Sequence, residues 1–437
     1  MTVFLDLTRI SSRLLRGAPT GIDRVEFAYA DELVTKEKYG AVVPIITTPV
    51  GNGSIPGEVM RDHLAKIEAG WMRDRADASG DGLYMSVKQA IDAPADPTRA
   101  GATSLKRAGR LHHAKKTLQF PFRQIANAPR AMRKTLKASA AAERCYYHSS
   151  HTQLDKPDRF SWLAANKIPS AFFIHDAIPV DYPEFCSPGS AARHHERLKT
   201  VAARAELIVV NSAATAEAVT RYMEGEGWRV PRVEVVPLGV DRWFAAVPVN
   251  AALLPQAPYF VCVGTIEPRK NLIFLFNVWR AVVQRLGPAA PKLVLVGRRG
   301  WENENMIDVL ERSREIGPHI VEVADLSDLG LSHLLSGARA LVAPSQVEGF
   351  SLPVAEALAM ETPVIASDIP VHREISEDRA LLIDPIDGPA WTDAIVAMTA
   401  DGSQMGAALT DKARGYRPLT WPEHVERAMT HIDSLRS

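Results

Sequence analysis

The sequence EGFSLPVAEALAMETPVIAS, from Glu348 to Ser367, sets two carboxylates eight residues apart around a glycine and a helix start. The apolar run 340–343 precedes it, and residues 352–360 predict a helix whose first turn tolerates Pro353. A helix start offers unpaired backbone N–H groups to an anion. Taken alone, Glu356 is equally compatible with a first-turn carboxylate favoured by the helix dipole, and Glu348 with a solvated loop charge. The segment therefore predicts a strand, a loop and a helix start that suit an anionic ligand.

Further short apolar runs have the character of buried parallel strands, and helical patterns separate many of them. These runs are 3–5, 41–46, 171–174, 207–210, 259–263, 292–296, 340–343 and 363–366. The alternation predicts doubly wound α/β sheets, in which ligands lie at the carboxyl ends of the strands.

The chain length of 437 residues predicts two domains, because single hydrophobic cores stop growing at about 250 to 300 residues. We place the boundary in the aperiodic segment 248–258. The expected organisation is a first domain over 1–250 with a basic insertion at about 50–150, and a second domain over 251–417. A final helix is expected over 418–437, beginning at Trp421, which is also compatible with an ordinary core anchor.

The composition indicates an ordinary soluble protein, with 46% hydrophobic residues, 23% charged residues and a formal net charge of zero. No general nucleic-acid binding is expected from this charge. The three cysteines are far apart and lack metal-ligand spacing, which favours a reducing, cytoplasmic compartment and disfavours zinc. Neither a signal peptide nor a run of about 18 apolar residues is visible.

One segment is strongly basic: Arg99 to Lys137 contains eleven lysine or arginine residues and no acid. Leu111, Leu118, Phe122 and Ile125 recur at helical spacing within it. The pattern predicts either an amphipathic helical hairpin lying on an anionic membrane, broken at Pro121 and Pro129, or a solvated insertion helix with a basic face.

Two strings of the second half carry the groups that a diphosphate requires. VGTIEPRKN, residues 263–271, follows a strand, provides Arg269 and Lys270, and opens a helix with Asn271 as its expected N-cap. VGRRGW, residues 296–301, closes the next strand. Arg269 and Lys270 are also compatible with a surface pair before an amphipathic helix. Neither a dinucleotide fingerprint nor a P-loop motif is present in the sequence.

Two strings of the first half fall where an α/β cleft opens. TGIDRVEFAYADEL, residues 20–33, supplies Gly21, Ile22 and Asp23 as a loop before a helix, where Gly21 allows close backbone approach. FFIHDAIPVDYPEF, residues 172–185, places His175 and Asp176 at the end of a buried strand. His175 is compatible with a ligand-binding residue and with a satisfied core histidine.

In this order, these strings resemble the retaining family 4 glycosyltransferases (glycosyl transferases group 1), and are similar to bacterial mannosyl- and rhamnosyltransferases of surface polysaccharide assembly. The resemblance implies an α/β GT-B fold, in which two Rossmann-like domains face a central cleft. It also implies that the final helix, from Trp421 onward, crosses back to the first domain. It implies transfer of a hexose with retention of configuration, through a front-face route in which the donor phosphate helps to take the acceptor proton. It implies no cofactor and no metal. The expected partners are a nucleotide sugar, with GDP-mannose as the first choice, and a glycan or lipid-linked glycan acceptor.

The resemblance also assigns roles. Lys270 and Arg269 would bind the diphosphate, although Thr265 replaces the arginine that the family usually has just after the glycine. Glu348 would bind the donor sugar, Glu356 the ribose, and His175 would face the reacting sugar. The remaining expected donor contacts are Gly349, Phe350, Ser351, Gly264 and Gly297. Asp23 stands where the family often has a second glycine, and we expect it to meet acceptor hydroxyls.

Two other functions remain open. The chain is compatible with a GT-B sugar-nucleotide epimerase, which would convert donor without an acceptor, and with a catalytically silent partner that binds nucleotide sugar or glycan. The expected location is cytoplasmic and peripheral to the inner face of the membrane if the basic segment binds lipid.

Overall fold

The computed structural model of the chain describes residues 2–13, 19–36, 38–48, 51–72, 81–106, 122–140, 143–244 and 250–436. Its strands form two sheets of seven. They are β1 (Thr2–Asp6), β2 (Ala41–Thr48), β3 (Gly51–Ser54), β4 (Thr103–Lys106), β5 (Arg144–His148), β6 (Ser170–Ile174), β7 (Leu207–Val210), β8 (Arg232–Val235), β9 (Tyr259–Val263), β10 (Lys292–Val296), β11 (Ile320–Ala324), β12 (Leu341–Ala343), β13 (Val364–Ser367) and β14 (Leu381–Ile383).

The helices connect these strands and cover both faces of each sheet. They are α1 (Gly21–Ala30), α2 (Gly57–Met72), α3 (Gly82–Asp92), α4 (Phe122–Ala138), α5 (Ser161–Ala165), α6 (Ile178–Asp181), α7 (Ser190–Arg204), α8 (Ala213–Gly225), α9 (Leu272–Leu286), α10 (Glu304–Arg312), α11 (Asp328–Gly337), α12 (Leu352–Ala359), α13 (Pro370–Ser376), α14 (Gly388–Thr399), α15 (Gln404–Ala413) and α16 (Trp421–Asp433).

The first sheet has the order β3-β2-β1-β5-β6-β7-β8. All of its neighbours are parallel except β3, which pairs antiparallel with β2. The second sheet has the order β14-β13-β12-β9-β10-β11-β4 and is parallel throughout. Both sheets carry buried apolar clusters on their two faces, as expected for doubly wound sheets covered by helices. The predicted α/β architecture of two Rossmann-like domains is confirmed.

A segment from the first half of the chain belongs to the second sheet. The strand β4 pairs in parallel with β11, and Thr103 lies opposite Val321. The preceding helix α3 buries Tyr84, Val87 and Ile91 in the core of the same sheet. The assignment of all of residues 1–250 to the first domain is therefore wrong for α3 and β4. The sequence hides this arrangement because an edge strand of four residues can pair with any sheet that has an open edge.

The helix α4 packs against the first domain through its apolar side. Ile125, Ala128 and Met132 are buried, and a side chain at Gly53 of β3 would lie 2.4 Å from the Cβ of Ala128. Pro129 lies inside this continuous helix, so the expected break at Pro129 is wrong. Because the apolar side is buried against protein, it cannot also lie in a membrane. Leu111, Leu118 and Pro121 fall outside the described residues.

The last helix, α16, packs into the core of the first domain through Val425, Ala428, Met429 and Ile432. It begins with a capping box between Thr420 and Glu423. Its His424 accepts or donates two hydrogen bonds, to the hydroxyl of Tyr29 at 3.0 Å and to the carbonyl of Pro237 at 2.8 Å. None of the described helices is both long and apolar enough to span a bilayer.

Candidate active site

A buried ion-pair cluster lies at the carboxyl ends of β9 and β12, in front of α12. The Glu348 Oε1 atom accepts hydrogen bonds from Lys270 Nζ at 2.5 Å and from Ser345 Oγ at 2.7 Å. The other carboxylate oxygen of Glu348 accepts from Arg269, which also pairs through Nε with Glu267 at 2.5 Å. The loop after β9 and the loop after β12 thus meet in one charged cluster, which the sequence predicted only as separate motifs.

The charges of this cluster are strongly coupled. Burial by itself would raise the pKa of Glu348, but Arg269 and Lys270 outweigh burial and hold that pKa at about 2. Burial lowers the pKa of Arg269, yet Glu348 and Glu267 raise it above its ordinary value. The side chains of Lys270 and Arg269 are 11% and 23% exposed, so both cations reach solvent from a nearly buried position. Glu348 is therefore ionised and held by two cations that a ligand can reach.

Two glycines permit the close packing behind Lys270. Gly264 has φ of +146°, and a Cβ there would lie 2.8 Å from Lys270 Cε. A Cβ on Gly297, at the end of β10, would lie only 1.8 Å from the Gly264 carbonyl oxygen. Both positions therefore require glycine for the backbone and the lysine to approach this closely.

The second carboxylate, Glu356, lies within α12 beside an ion pair that joins the two domains. Arg24 of α1 donates to both carboxylate oxygens of Asp328, at 2.5 and 3.1 Å. Burial raises the pKa of Glu356 to about 7; Arg24 opposes that shift, whereas Asp328 and Asp241 add to it. Glu356 is therefore close to half-protonated near neutral pH, unlike Glu348.

The loop before α12 contacts the first domain directly. The Gly349 carbonyl accepts hydrogen bonds from Ser212 Oγ at 2.8 Å and Thr215 Oγ1 at 3.2 Å. A side chain at Gly349 would come within 2.3 Å of the His175 carbonyl oxygen. Phe350 packs against both cores, and Ser351 is buried at the start of α12. The domain interface thus passes through the loop expected to bind the donor.

His175 is a neutral imidazole at this interface. Burial, together with the charge of Arg9, lowers its pKa to about 3, although its bond to the Ser149 carbonyl opposes the shift. Its Nε2 donates to that carbonyl at 2.9 Å, which leaves Nδ1 as the acceptor nitrogen of the ring. His175 can therefore accept a hydrogen bond from a hydroxyl but cannot act as a cation.

The loop before α1 is closed by internal contacts. Asp23 is fully buried, caps α1 together with Thr20, and pairs with Arg9 and Arg13, each at 3.0 Å. The expectation that Asp23 meets acceptor hydroxyls is therefore wrong, because its carboxylate is already used within the domain. Gly21 is exposed and lies beside Leu352 of α12, and Ile22 is half-buried.

Asn271 occupies the N-cap position of α9, but its side chain does not cap the helix. Its backbone is left-handed, with φ of 55°, and its Nδ2 donates to the Pro385 carbonyl at 3.0 Å. Sequence reasoning also missed Arg24, Asp328 and Ser345. Ser345 lies three residues before Glu348, a spacing that could have indicated its hydrogen bond, whereas the pair of Arg24 and Asp328 is 304 residues apart and has no local signal.

The described residues contain no group of three or more histidine, cysteine or acidic side chains placed to hold a metal ion. The cations Arg269 and Lys270 are the groups of this cluster that fit a diphosphate, because charge-assisted hydrogen bonds to phosphate oxygens are strong. Two facing α/β domains with this cluster at their strand ends form an architecture of the GT-B type.

Comparisons with known proteins agree with that class. Residues 257–401 match the family model for glycosyl transferases group 1. The chain is 31% identical over 280 residues to the serotype-specific mannosyltransferase WbdA of Escherichia coli, which covers 60% of this chain and 33% of that protein. It is 34% identical over 163 residues to the O-antigen chain mannosyltransferase B of Escherichia coli, covering 37% and 42%.

Among solved structures, the Anabaena protein HepE in complex with UDP has a TM-score of 0.60 over 99% of both chains, with 13% sequence identity. This likeness shows the fold, and the chain has the GT-B fold. The chain spans about a third of the length of the first curated relatives that it matches. The class of enzyme expected from the sequence is the class for which these relatives are named.

Proposed function

We propose that the chain is a retaining hexosyltransferase that transfers mannose from GDP-mannose to a glycan or lipid-linked glycan acceptor in bacterial surface polysaccharide synthesis. The observation that carries the proposal is the cluster of Glu348, Arg269 and Lys270 at the strand ends of a glycosyl transferases group 1 domain. Mannose is the sugar named for the relatives WbdA and mannosyltransferase B. The guanine base rests on the sequence resemblance.

The cluster can exchange partners when donor binds. Arg269 and Lys270 neutralise Glu348 without ligand, and a diphosphate offers them a second, doubly charged partner. As the glycosidic bond breaks, negative charge grows on the leaving diphosphate, and preorganised cations stabilise that charge. The Glu348 carboxylate, partly released, would then accept hydrogen bonds from donor sugar hydroxyls.

The ionisation of Glu356 and the hydrogen bonding of His175 support the other expected contacts. Glu356 would accept hydrogen bonds from the ribose, and a nearby hydroxyl ligand would favour its ionised form. His175 Nδ1 would accept a hydrogen bond from the reacting sugar. The backbone N–H groups of Gly349, Phe350 and Ser351 lie at the start of α12, where the helix dipole favours a bound anion.

We also propose a peripheral position at the inner face of the cytoplasmic membrane, held by the charged face of a helix and not by its apolar face. The helix α4 buries its apolar side and exposes Arg130, Arg133, Lys134 and Lys137. Contact with anionic lipid would then depend on charge alone and should weaken steeply with salt. Sedimentation with anionic vesicles tests this: replacing these four residues by glutamine should abolish binding, and unchanged binding would contradict it.

The function is tested by thermal shift and calorimetry with GDP, UDP, dTDP, ADP and CDP, each with and without EDTA. We expect selective stabilisation by GDP that EDTA does not reduce, and loss of this response in Lys270→Ala. Turnover of GDP-mannose that requires a glycan acceptor would exclude an epimerase. A protein that responds to none of the nucleotides would favour the silent glycan-binding alternative.

A further inference from the structure

A group of arginine and histidine side chains lies at the strand ends of the first sheet, and only its arginines carry positive charge at neutral pH. Arg9 follows β1, His151 follows β5, and His175 follows β6. Helix α7 adds Arg193 and Arg197, one helical turn apart. The carboxyl ends of parallel strands are where α/β domains bind ligands, so these side chains are in a position to form a binding site.

The positive charges of this group are poorly neutralised. Asp23 pairs with Arg9 and also with Arg13, so one carboxylate serves two cations. Within the described part of the chain, neither Arg193 nor Arg197 forms an ion pair at or below 4.0 Å. Like charges four residues apart on a helix destabilise it. Arg193 and Arg197 have this spacing, and no ion pair with a described residue offsets their repulsion.

Burial and the positive charges of the arginines lower the pKa values of groups beside them. Burial lowers the pKa of Arg197; Asp155 opposes the shift, whereas Arg193 and Arg9 add to it. Burial also lowers the pKa of His151 well below its ordinary value, and Arg197 and Arg9 contribute. Protonation is thus disfavoured at both groups, and a bound anion would relieve both.

Buried polar atoms around the same strand ends lack hydrogen-bond partners among the described residues. They are Arg197 Nε, His194 Nδ1 and Ser149 Oγ, of which His194 and Ser149 are fully buried. The other ring nitrogen of His194 bonds to the Asp176 carbonyl at 3.1 Å. Buried polar groups in native proteins are normally satisfied, so these atoms indicate a ligand or water.

The carboxyl groups nearby do not cancel the positive charge. Asp155 and Asp176 interact electrostatically with Arg197, but Asp176 is also shared with Arg269 of the donor cluster. Burial raises the pKa of Glu26 to about 8, so this side chain is largely uncharged at neutral pH. Asp176 thus lies within electrostatic range of both arginines, Arg197 of this group and Arg269 of the donor cluster.

We propose that Arg9, Arg193 and Arg197 form a binding site for a phosphate ester on the acceptor. The proposal rests on the proposed glycosyltransferase function and names the chemistry of its acceptor. Arginine guanidinium groups suit this ligand because their paired N–H donors match phosphate oxygens. The ester could be carried by a soluble phosphorylated sugar or by a lipid phosphate, and the test separates these sources.

The test uses the full chain saturated with its nucleotide, so that Arg269 and Lys270 are occupied. Calorimetry with phenyl phosphate should show binding, and Arg193→Gln or Arg197→Gln should weaken that binding by about tenfold or more, the loss of one charge-assisted contact. Lys199→Gln, an exposed cation on the same helix, should leave it unchanged. Absent binding, or equal affinity in all variants, would overturn the proposal.

A vesicle-binding experiment and a nucleotide-affinity control complete the test. Phosphatidylcholine vesicles with and without phosphatidic acid show whether the site accepts a lipid phosphate, and they are tested in the variant with the four basic residues of α4 replaced by glutamine. In that background, binding lost in Arg197→Gln supports a lipid source, and binding of phenyl phosphate alone supports a soluble one. Nucleotide affinity should be unchanged in Arg197→Gln, which a merely unfolded variant would not show. If no nucleotide binds the wild type, the phosphate titration in Lys270→Ala still reports on this site, so the two proposals fail separately.

Discussion

Glu348 lies in the loop before α12 and Glu356 lies within α12. Their surroundings nevertheless place their pKa values at about 2 and about 7. Both are buried. Glu348 is held by Arg269, Lys270 and a serine hydroxyl, whereas Glu356 has only Arg24 nearby, and Arg24 is already paired with Asp328.

The difference shows that burial alone does not set the charge of these carboxylates. Burial raises the pKa of both, and the two cations that pair directly with Glu348 keep that carboxylate ionised. Groups whose environments push their pKa values apart often have different roles in a site. Here one carboxylate is a fixed anion beside the expected diphosphate, and the other can change charge when a ligand binds.

The largest expected effect comes from removing one cation of Glu348. Lys270→Ala should raise the pKa of Glu348 toward that of Glu356, because Arg269 would then be the one cation that opposes burial, aided by the Ser345 hydroxyl. We expect a loss of about 3 kcal/mol in the free energy of unfolding at pH 7, measured with urea, since a buried charge loses a partner. Arg280→Ala removes an exposed pair with Glu315 and should cost less than about 1 kcal/mol. Equal losses in the two variants would contradict the special status of Lys270.

The two carboxylates should respond to pH in opposite directions. The folded pKa of Glu348 lies below its ordinary value of 4.5, so its stabilisation is complete above pH 4.5 and is lost as pH falls toward 2. The folded pKa of Glu356 lies above 4.5, so its ionisation destabilises the fold increasingly as pH rises from 4.5 to 7. Glu348→Gln should therefore lose about 3 kcal/mol at pH 7, and Glu356→Gln should gain up to about 3 kcal/mol at pH 8.

Urea unfolding measures the two trends. Both variants and the wild type are unfolded at values from about pH 3 to about pH 8, where the changes in stability are expected. The Glu356→Gln gain should vanish as pH falls toward 4.5, and the Glu348→Gln loss should shrink below that value. Parallel curves for the two variants would show that the carboxylates share one environment.

Arg24 should set the size of the Glu356 effect. Arg24 lowers the pKa of Glu356, so Arg24→Gln should raise it further. In the Arg24→Gln background, the gain from Glu356→Gln at pH 8 should therefore be larger by about 1 kcal/mol, the usual size of coupling between neighbours. A double-mutant cycle measures this, with Glu348→Gln in the same background as the control, for which we expect no such increase.

The smallest effect is expected at Ser345, whose hydroxyl donates to Glu348. Ser345→Ala should cost about 1.5 kcal/mol at pH 7, as for a hydrogen bond to a charged group, and the cost should decline as Glu348 is protonated near pH 2. Ser336→Ala removes a hydroxyl bonded to a backbone carbonyl, and its cost should not depend on pH. A flat pH profile for both serines would argue against the bond to an ionised Glu348.

Much of the fold was predictable because its signals are local. All eight predicted strands are present within one or two residues, and the helix at 352–360 appears as α12. Most of the strands that were missed carry polar residues in their short runs: β5 has Arg144 and His148 at its ends, and β11 contains Glu322, which pairs with Arg299. The strand β14 is apolar but only three residues long. Such strands lack the continuous apolar run that marks a buried strand.

The candidate site was predictable as a set of motifs but not as a set of contacts. Lys270, Arg269, Glu348 and Glu356 were identified from their strings, because strand ends and helix starts can be read along the chain. The contacts depend on groups that the fold brings together. They are the ion pairs of Arg269 and Lys270 with Glu348, of Asp23 with Arg13, and of Arg24 with Asp328.

The sequence by itself determined the two α/β domains, the positions of most strands along the chain, and the loop and helix that carry the two carboxylates, because periodicity and turn residues act over a few neighbouring positions. Only the tertiary structure decided that β4 joins the second sheet and that Glu348 is ionised while Glu356 is nearly half-protonated. It also decided that Arg193 and Arg197 form no ion pair with any described residue. The reason is physical: open sheet edges, burial and charge partners are properties of the folded neighbourhood, which no local pattern encodes.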